Sequence, residues 1–505
     1  MENGVGTGVL ARPSFVLSAV CLLVHLFANS HYGAFSDELY FIVCGLHPAP
    51  GYVDQPPLVP LIAASSYALF GMALLPLRLI PALSMAATVG LSAEFARLLG
   101  GGRVAQWLAG VAVLLGGVFL VDGLLLTTDM MQPLTWLGCS WCLTKLAQTK
   151  DERWWLGFGA IAGISLLSKY LILFYIAGLA AGILATPLRR SLLRPQIYLG
   201  ALIALAFLAP SAWWQAAHGW PFREIGDAGT NSNNLVLSPL AFFGQQVLFV
   251  GPAPALIWIA GLWRLSVRPA MPELRVFPIA YAVMVVLFFV LHGKSYYLAP
   301  VYPVLLAAGA VAIEGWFRWP VLRGAVFAVV AGIGLLLAPL ALPLLPPDHY
   351  VSYARALGIP AGATATENGK HSALPLHLAG TFGWPEMADK VAAVYRALPE
   401  NERANAVFFG RNYGEAAAIS LYGKLPSVSG YHNFYLWPPQ GHQGDVVITL
   451  GGDVTRLMRN YRRADVVGHI DSPYALPYET GVPIYVLRDP RLPLPVLWPQ
   501  MKYYR

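Results

Sequence analysis

Residues 320–347 read PVLRGAVFAVVAGIGLLLAPLALPLLPP, and this stretch divides the chain into two parts of different composition. Up to residue 343 it is uncharged apart from Arg323, and it is long enough to cross about 30 Å of hydrocarbon as a helix. Residues 1–344 hold 31 charged side chains and residues 345–505 hold 28, so the charge density roughly doubles at the closing proline pair. The break predicts a membrane-embedded domain, residues 1–344, followed by a water-facing domain, residues 345–505.

The composition of the whole chain supports this division. Of its 505 residues, 57% are hydrophobic and 12% are charged, about half the charged fraction of a typical globular protein, which excludes an ordinary soluble protein. The net charge of +7 is spread over short loops and forms no basic patch. We therefore predict that the chain is embedded in a lipid bilayer and has no nucleic-acid partner.

Charged loops predict how the membrane domain is oriented. Basic residues gather in alternate connections, for example Arg97 with Arg103 and Arg264 with Arg268, and the positive-inside rule places such loops in the cytoplasm. The N-terminus is then cytoplasmic, and an odd number of spans puts the C-terminal domain on the outer face. About eleven apolar stretches span the bilayer or nearly do so: residues 14–30, 78–98, 104–121, 130–148, 154–168, 170–187, 196–216, 240–263, 276–291, 296–316 and 320–343.

The first outer loop, residues 31–77, and the C-terminal domain each have a pattern of their own. Residues 56–70 are apolar but short and begin with prolines, which predicts an interfacial helix on the outer surface. In the C-terminal domain, apolar spacing predicts a helix over residues 385–398. Short β-rich runs predict an α/β unit there, at residues 404–409, 445–450, 465–470 and 483–487.

The motif SDELY at residues 36–40 follows the first span directly. Two adjacent carboxylates at a membrane boundary can supply a general base when one of them is partly desolvated and held against a hydroxyl nucleophile. Asp37 and Glu38 are therefore the candidate catalytic residues. The alternative is a solvated helix N-terminus, with Ser36 as its cap and the two acids favouring the positive end of the helix.

Further motifs favour the catalytic interpretation of Asp37 and Glu38 over the solvated helix N-terminus. DQPPL follows at residues 54–58, Asp129 precedes the fourth span, and residues 294–303 read KSYYLAPVYP. Together with Asp37 they resemble the membrane-bound GT-C glycosyltransferases, specifically the family 39 or protein-mannosyltransferase-like group that includes lipid A aminoarabinose transferases and lipopolysaccharide galacturonosyltransferases. The segments FGWP and RNYGE of the C-terminal domain resemble the outer domain of the uronosyltransferase-like bacterial members.

The resemblance implies a GT-C fold and an inverting transfer of one sugar from a polyprenyl-phosphate donor, on the outer face of a bacterial inner membrane. The sugar can be a hexosyl, pentosyl or uronosyl group, and the acceptor can be lipid A, a core glycan, another glycan or a protein. The resemblance also implies that Asp37 is the general base. For the departing phosphate we predict Lys294, with Tyr296 and Tyr297 beside it; the alternative for Lys294 is snorkelling from a helix end.

One position departs from the family pattern. Where the aminoarabinose transferases have a lysine before the two prolines, this chain has Gln55, whose amide can hydrogen-bond to a phosphate but cannot neutralise it. Donor binding must then depend on other residues, and we predict Lys169, Arg78 and Arg223 as further candidates.

A metal site and a different activity are the remaining alternatives. No cofactor is required by these motifs, but Asp54, Asp129 and His218 on the outer loops could form a divalent-metal site like the one reported for some relatives. Otherwise Asp54 and Asp129 organise the loops through hydrogen bonds and ion pairs. The rival function is a transporter or flippase for a lipid-linked sugar, which inverted repeats would support, and the sequence shows none.

Overall fold

The part of the protein before residue 345 is built from α-helices. A computed structural model describes residues 12–228, 237–360, 364–365, 371–439 and 441–504. The helices up to the composition break are α1 (Pro13–Ala28), α2 (Ser36–Leu46), α3 (Leu58–Phe70), α4 (Leu74–Leu77), α5 (Leu79–Leu98), α6 (Arg103–Leu114), α7 (Gly117–Leu124), α8 (Gln132–Thr149), α9 (Trp154–Ser168), α10 (Ile172–Ala185), α11 (Pro195–Ala217), α12 (Pro221–Ala228), α13 (Pro239–Val250), α14 (Pro252–Val267), α15 (Val276–Val290), α16 (Tyr302–Trp316) and α17 (Pro320–Ala341).

Several of these helices could cross a membrane. Within the described residues, five segments are long and apolar enough, and three bent pairs raise the number to eight if each pair is one span. Helices α1, α3 and α9 are apolar but shorter. A helical protein with several candidate spans is therefore confirmed, while the count of about eleven stays a prediction. The five segments are Leu79–Leu98, Pro195–Ala217, Pro272–Val290, Ser295–Trp316 and Pro320–Ala341.

Some predicted spans are broken helices, and the breaks have local causes. Helices α13 and α14 meet at 110°, where Gly251 adopts a φ of 105° and Pro252 supplies no backbone N–H to continue the first helix. Helices α6 and α7 meet at 63°. The apolar stretches predicted at residues 104–121 and 240–263 therefore change direction within the protein, which a count of apolar residues does not register.

The C-terminal part carries a five-stranded mixed sheet with helices around it. Its elements are α18 (Pro347–Ala356), β1 (Thr364–Ala365), β2 (His371–Ser372), α19 (Leu376–Ala379), α20 (Trp384–Ala397), α21 (Glu400–Arg403), β3 (Ala406–Gly410), α22 (Tyr413–Ala418), β4 (Ser427–Ser429), β5 (Val446–Leu450), α23 (Val454–Asn460), β6 (Tyr461–Ile470), β7 (Val482–Pro490) and α24 (Leu494–Leu497). The strand order is β4-β3-β5-β7-β6. Strand β3 is parallel to both of its neighbours, and β7 is antiparallel to β5 and β6.

The C-terminal part packs directly against the first loop. One hydrophobic core joins Leu39 of α2 to Trp384 of α20 and Ile448 of β5. Gly33, just before α2, approaches Thr381 so closely that a Cβ atom would lie 2.2 Å from its carbonyl oxygen. Helix α2, which carries both candidate catalytic carboxylates, is therefore held between the two parts of the chain.

Candidate active site

Asp37 lies in the first turn of α2 and is half-buried. Its Oδ1 accepts hydrogen bonds from Tyr413 Oη at 2.8 Å and from Ser36 Oγ at 3.3 Å. The cap of the helix is Phe35, whose N–H donates to the Glu38 carboxylate at 2.8 Å, so the alternative in which Ser36 caps the helix is wrong. Asp37 is held by a phenol from the C-terminal part while part of its surface stays accessible, as a general base requires.

Glu38, the next residue, is fully buried and its carboxylate is saturated with donors. Arg78 donates to it through Nε and Nη2, both at 2.8 Å, and the Leu126 N–H donates at 3.0 Å. Arg78 is buried as well, and it also donates to the carbonyl oxygens of Asn29 at 3.1 Å and Gly33 at 2.8 Å. This closed network favours a structural role for Glu38 and Arg78 over the catalytic and phosphate-binding roles predicted from the sequence.

A second ion pair lies where α9 and α10 meet. Lys169 Nζ contacts both carboxylate oxygens of Asp129, at 2.8 and 2.7 Å, and the two side chains remain 20% and 21% exposed. Burial lowers the pKa of Lys169, but the Asp129 carboxylate and Tyr297 raise it by more, so the amine stays charged. Its ammonium also lies 4.7 Å from the centre of the Tyr297 ring.

A second lysine lies beside this pair. Lys294 Nζ is 5.9 Å from the centre of the Tyr296 ring, and Lys169 Nζ is 5.9 Å from the same point. The two ammonium groups repel each other, and a bound anion would relieve that repulsion. We call Asp129, Lys169, Lys294, Tyr296 and Tyr297 the lysine cluster.

One short loop contacts both α2 and the lysine cluster. Residues 125–131 connect α7 to α8, and within them the Leu126 N–H donates to Glu38. Ser168, directly before Lys169, donates to the Thr128 carbonyl oxygen at 2.8 Å. The structure therefore brings the candidate base and the candidate phosphate-binding lysines to the same region of the protein.

Asp54 joins the first loop to the C-terminal part. Its Oδ1 accepts from Tyr40 Oη at 2.8 Å and from Asn433 Nδ2 at 3.1 Å, while Asn433 Oδ1 accepts the Val53 N–H at 3.0 Å. Asn433 Nδ2 also donates to Tyr40 Oη. Burial raises the pKa of Asp54 to about 6, against the effect of these donors. These contacts match the loop-organising role, one of the two roles predicted for Asp54.

The predicted metal site is not assembled. His218 is exposed at the end of α11, where its ring stacks on Trp214 with 4.0 Å between ring centres and its Nδ1 lies 2.8 Å from the Trp214 carbonyl oxygen. Among the residues that the structure describes, no group of three or more His, Cys, Asp or Glu side chains could hold a metal ion. Asp54, Asp129 and His218 instead have three separate sets of partners.

Gln55 does not take the place of the lysine that it replaces in the family pattern. Its side chain is 1% exposed, and its Nε2 lies 3.9 Å from Cys44 Sγ. Its Oε1 has no hydrogen-bond partner in the described part of the chain. A side chain so enclosed cannot reach a lipid phosphate unless the loop rearranges, which favours the lysine cluster for that contact. Arg223 is exposed on α12 and lies 3.9 Å from Asp227.

Tyr413 is the site residue that the sequence did not identify as a partner of Asp37. It is the first residue of α22, whose cap Asn412 accepts the Glu415 N–H at 2.9 Å and donates to Glu479 at 2.7 Å. Burial and the Asp37 carboxylate raise the pKa of Tyr413 well above its ordinary value, so its hydroxyl remains a donor. The RNYGE motif drew attention to this segment, but a motif does not show which distant carboxylate it contacts.

Known proteins match part of the chain in sequence. The family model described as dolichyl-phosphate-mannose-protein mannosyltransferase matches residues 54–214. The lipid A galacturonosyltransferase RgtD of Rhizobium johnstonii is 29% identical over 241 residues, which cover 45% of this chain and 48% of that protein. The matched region therefore spans about half the length of this curated relative.

Solved structures match the fold over nearly the whole chain. ArnT from Cupriavidus metallidurans bound to undecaprenyl phosphate has a TM-score of 0.65 at 18% identity and covers 95% of this chain and 98% of its own. The apo state of the same protein has a TM-score of 0.62 at 17% identity, with the same coverage. At this identity the likeness shows the fold alone. With the sequence matches, it confirms the predicted resemblance to the GT-C membrane glycosyltransferases.

Proposed function

We propose that this protein is an integral membrane glycosyltransferase, which moves a single sugar from a polyprenyl-phosphate donor to an envelope acceptor with inversion at the anomeric carbon. The observation that carries the proposal is the pair of features beside the loop of residues 125–131. One is a half-buried carboxylate held by a phenol, and the other is a cluster of two lysines on tyrosine rings. Sugar transfer from a lipid phosphate needs both a base and a cation.

In this mechanism Asp37 accepts the proton of an acceptor hydroxyl. The hydroxyl oxygen then forms its bond to the anomeric carbon on the face opposite the phosphate, and the bond from that carbon to the phosphate oxygen breaks. The hydrogen bond from Tyr413 holds Asp37 Oδ1 in one position during the proton transfer. Such base catalysis contributes roughly 100-fold to 10,000-fold in rate.

The lysine cluster binds the donor phosphate in this proposal. Lys294 and Lys169 stabilise the negative charge that builds on the departing oxygen, and Tyr296 and Tyr297 hold the two ammonium groups in place. Asp129 keeps Lys169 charged and oriented. Lys169 directly follows α9, and Lys294 lies between α15 and α16, so both lie at the ends of predicted spans. The proposal therefore puts the donor phosphate at the surface of the bilayer and its polyprenyl chain within it.

The relatives suggest which substrates to test first. One relative is named for galacturonosyl transfer to lipid A, and one structural neighbour was solved with undecaprenyl phosphate. We therefore propose an undecaprenyl-phosphate donor and, first among the envelope acceptors, lipid A. The proposal places the protein in a bacterial inner membrane with residues 1–344 as the membrane domain, a cytoplasmic N-terminus, and residues 345–505 on the outer face.

The test is the variant Asp37→Asn, compared with Asp227→Asn as a matched control because Asp227 is an exposed carboxylate in α12, 69% exposed. Mass spectrometry of envelope lipids and glycans should show one sugar missing from a single acceptor in cells that carry Asp37→Asn. Cells that carry the control should resemble the wild type. Immunoblots of membrane fractions should show equal amounts of all three proteins.

The same variants separate a transferase from a flippase. Purified wild-type protein should transfer the sugar to the acceptor that the mass spectra identify, in detergent solution where no bilayer has to be crossed, and Asp37→Asn should not. Activity above a few per cent of wild type in Asp37→Asn would remove Asp37 from the role of base. Unchanged envelope glycans in every strain would contradict the transferase proposal.

A further inference from the structure

A buried ionic network lies in the C-terminal part beside Tyr413. The side chains of Glu415 and Glu479 are 0% and 2% exposed, and the Arg411 guanidinium donates to both. It donates through Nε to Glu415 Oε1 at 2.8 Å and through Nη2 to Glu479 Oε2 at 3.1 Å. Burying charge is costly, so such a network persists only where its groups satisfy one another. The proposed sugar transfer gives none of these three side chains a role.

The network contains two carboxyl groups and one cation. Burial and the Glu415 carboxylate raise the pKa of Glu479 well above its ordinary value, against the effects of Arg411 and Asn412. Glu479 therefore favours its neutral form, in which it can donate a hydrogen bond to Glu415. Arg411 is then left to balance the charge of Glu415.

Asn412 connects Glu479 to the first turn of α22. Its Nδ2 donates to Glu479 Oε1 at 2.7 Å, and its Oδ1 accepts the Glu415 N–H at 2.9 Å. One amide group thus both caps the helix and attaches it to the buried carboxyl group. Tyr413 is the next residue, so the direction of its side chain depends on how this first turn is held.

Helix α22 lies close against α2 where both helices begin. A Cβ atom at Gly414 would lie 3.2 Å from Ser36 Cβ and 3.0 Å from the Trp384 ring. Across this contact Tyr413 Oη donates to Asp37 Oδ1 at 2.8 Å. Hydrogen bonds weaken steeply when the donor moves away or turns, so a small displacement of α22 would weaken this one.

Glu479 is held by a loop that does not belong to α22. The loop, residues 471–481, connects β6 to β7. Within it the Glu479 N–H donates to the Leu476 carbonyl oxygen at 2.8 Å, and the Ser472 N–H donates to Thr480 Oγ1 at 2.8 Å. These turns fix the backbone of Glu479, which therefore gives α22 a point of attachment on the loop between β6 and β7.

We propose that Glu479 is a positioning residue for the transfer reaction, which through Asn412 holds the first turn of α22 so that Tyr413 donates to Asp37. The inference rests on the proposed sugar transfer and adds the means by which the C-terminal part sets the state of the candidate base. Glu479 acts through Asn412 and Tyr413 and does not contact the reacting atoms.

The first test measures the coupling between Glu479 and Tyr413 and needs no substrate. Thermal unfolding of the full-length protein in detergent is compared for wild type, Glu479→Ala, Tyr413→Phe and the double variant. If Glu479 positions Tyr413, the phenol hydroxyl has already lost its partner in Glu479→Ala. Tyr413→Phe should then lower the unfolding temperature by at most about half as much in that background as in the wild type.

The second test is the pH dependence of transfer to the acceptor that the mass spectra identify. Glu479→Ala should move the acid limb to higher pH by about one unit, the effect of losing one hydrogen bond to a charged group. Glu479→Gln should keep the wild-type limb, because its amide retains an acceptor for Asn412 and a donor for Glu415, as the neutral carboxyl group does. A residue needed only for folding would lower activity without moving the limb.

Glu402→Ala is the matched control. The Glu402 carboxylate also accepts from an arginine of the C-terminal part, Arg488, at 2.7 Å, but Glu402 lies on α21 and not beside Asn412. Its loss should add to that of Tyr413→Phe and leave the acid limb in place. If Glu479→Ala does not accumulate in membranes, Asn412→Ala removes the same contact and replaces it in both tests.

Three results would overturn the proposal: equal losses on Tyr413→Phe in both backgrounds, an unmoved acid limb in an active Glu479→Ala protein, or a Glu479→Gln protein that behaves like Glu479→Ala. These failures differ from failure of the proposed function. An inactive Asp37→Asn protein with additive losses at Glu479 and Tyr413 would remove only the positioning role. An active Asp37→Asn protein would remove the base, while the unfolding measurements would still decide whether Glu479 holds Tyr413.

Discussion

Two ion pairs in this protein have similar contact distances but different surroundings. Arg78 and Glu38 meet at 2.8 Å with 1% and 0% of their side chains exposed, and Lys169 and Asp129 meet at 2.7 Å with 20% and 21% exposed. The carboxylate of the first pair also receives backbone N–H groups. The cation of the second pair lies against two tyrosine rings and near a second lysine.

From this difference we infer that Arg78 and Glu38 have a structural role, and we propose that Lys169 and Asp129 have a functional one. A buried charge whose hydrogen-bonding groups are all engaged holds its neighbours in place and offers nothing to a ligand. A partly exposed lysine that is repelled by another lysine gains free energy when an anion arrives. The first pair should therefore matter most for stability, and the second should matter most for activity. The predictions below test this division, from the largest expected effect to the smallest.

Replacing Arg78 with Met should cause the largest loss of stability. The Glu38 carboxylate would remain buried without its cation, and breaking a buried pair in this way costs about 3–5 kcal/mol. Arg97→Met is the matched control, because Arg97 pairs with Glu94 one helical turn away and is 56% exposed. Its loss should cost less than about 1 kcal/mol. Unfolding measurements in detergent micelles give the loss of stability of each variant. Equal losses for Arg78→Met and Arg97→Met would contradict the structural role of the buried ion pair.

Replacing Lys294 with Met should affect the donor and not the fold. Loss of one charge-assisted contact to phosphate, worth about 1.5–3 kcal/mol, should raise KM for the lipid donor roughly tenfold to a hundredfold. Lys145→Met is the control, because Lys145 also lies against an aromatic ring, 5.8 Å from the centre of Trp141, but outside the lysine cluster. A large loss of stability with an unchanged KM would place Lys294 with the structural residues.

Replacing Tyr413 with Phe should alter the pH dependence of transfer. A hydrogen bond donated to a carboxylate favours its charged form, so removing the hydroxyl should raise the pKa of Asp37 and move the acid limb of the pH–rate profile to higher pH. Tyr353→Phe removes a hydroxyl that donates to the Leu336 carbonyl oxygen instead, and it should leave the profile in place. Lower activity with an unchanged acid limb would mean that Tyr413 acts through packing alone.

Replacing Asp54 with Asn should have the smallest effect, a change in how stability depends on pH. Because the folded protein raises the pKa of Asp54 from 3.8 to about 6, folding takes up a proton between these values, and this group opposes stability increasingly as pH rises through that window. The asparagine side chain would keep an oxygen for Tyr40 and Asn433 without becoming charged. The variant should match the wild type at the low end of the window and gain relative stability toward the high end.

Thermal unfolding of both proteins in buffers across this range measures the difference. Parallel curves for the two proteins would show that Asp54 does not change its protonation on folding. In that case the first loop would be held by an ionised Asp54.

Much of the fold could be predicted from composition and periodicity. Apolar stretches located helices such as α5, α11 and α17, and β-rich runs located strands β3, β5, β6 and β7, because both patterns record which faces of an element avoid water. The directions in which the helices run were harder to predict from the sequence. The sharp bend at Gly251 depends on the backbone angle of one residue, which the spacing of apolar side chains does not reveal.

The sequence predicted many residues of the candidate site, but it did not predict which of them contact each other. Asp37, Lys169, Lys294 and the two tyrosines were all named from motifs, and the structure brings the lysines and tyrosines together. Arg78 was named as a further phosphate-binding candidate because Gln55, in the place of the family's lysine, cannot neutralise a phosphate. Its buried partner lies 40 positions away, and such a contact has no local signal.

By itself, the sequence determined that the chain is a helical membrane protein with a more polar C-terminal part. Charged side chains are costly in hydrocarbon, so segments that cross a membrane contain few of them. Only the tertiary structure showed which of the neighbours Asp37 and Glu38 is buried in an ion pair and which stays partly accessible. Adjacent residues on a helix face different directions, so one carboxylate met a buried arginine and the other met a tyrosine 376 positions away.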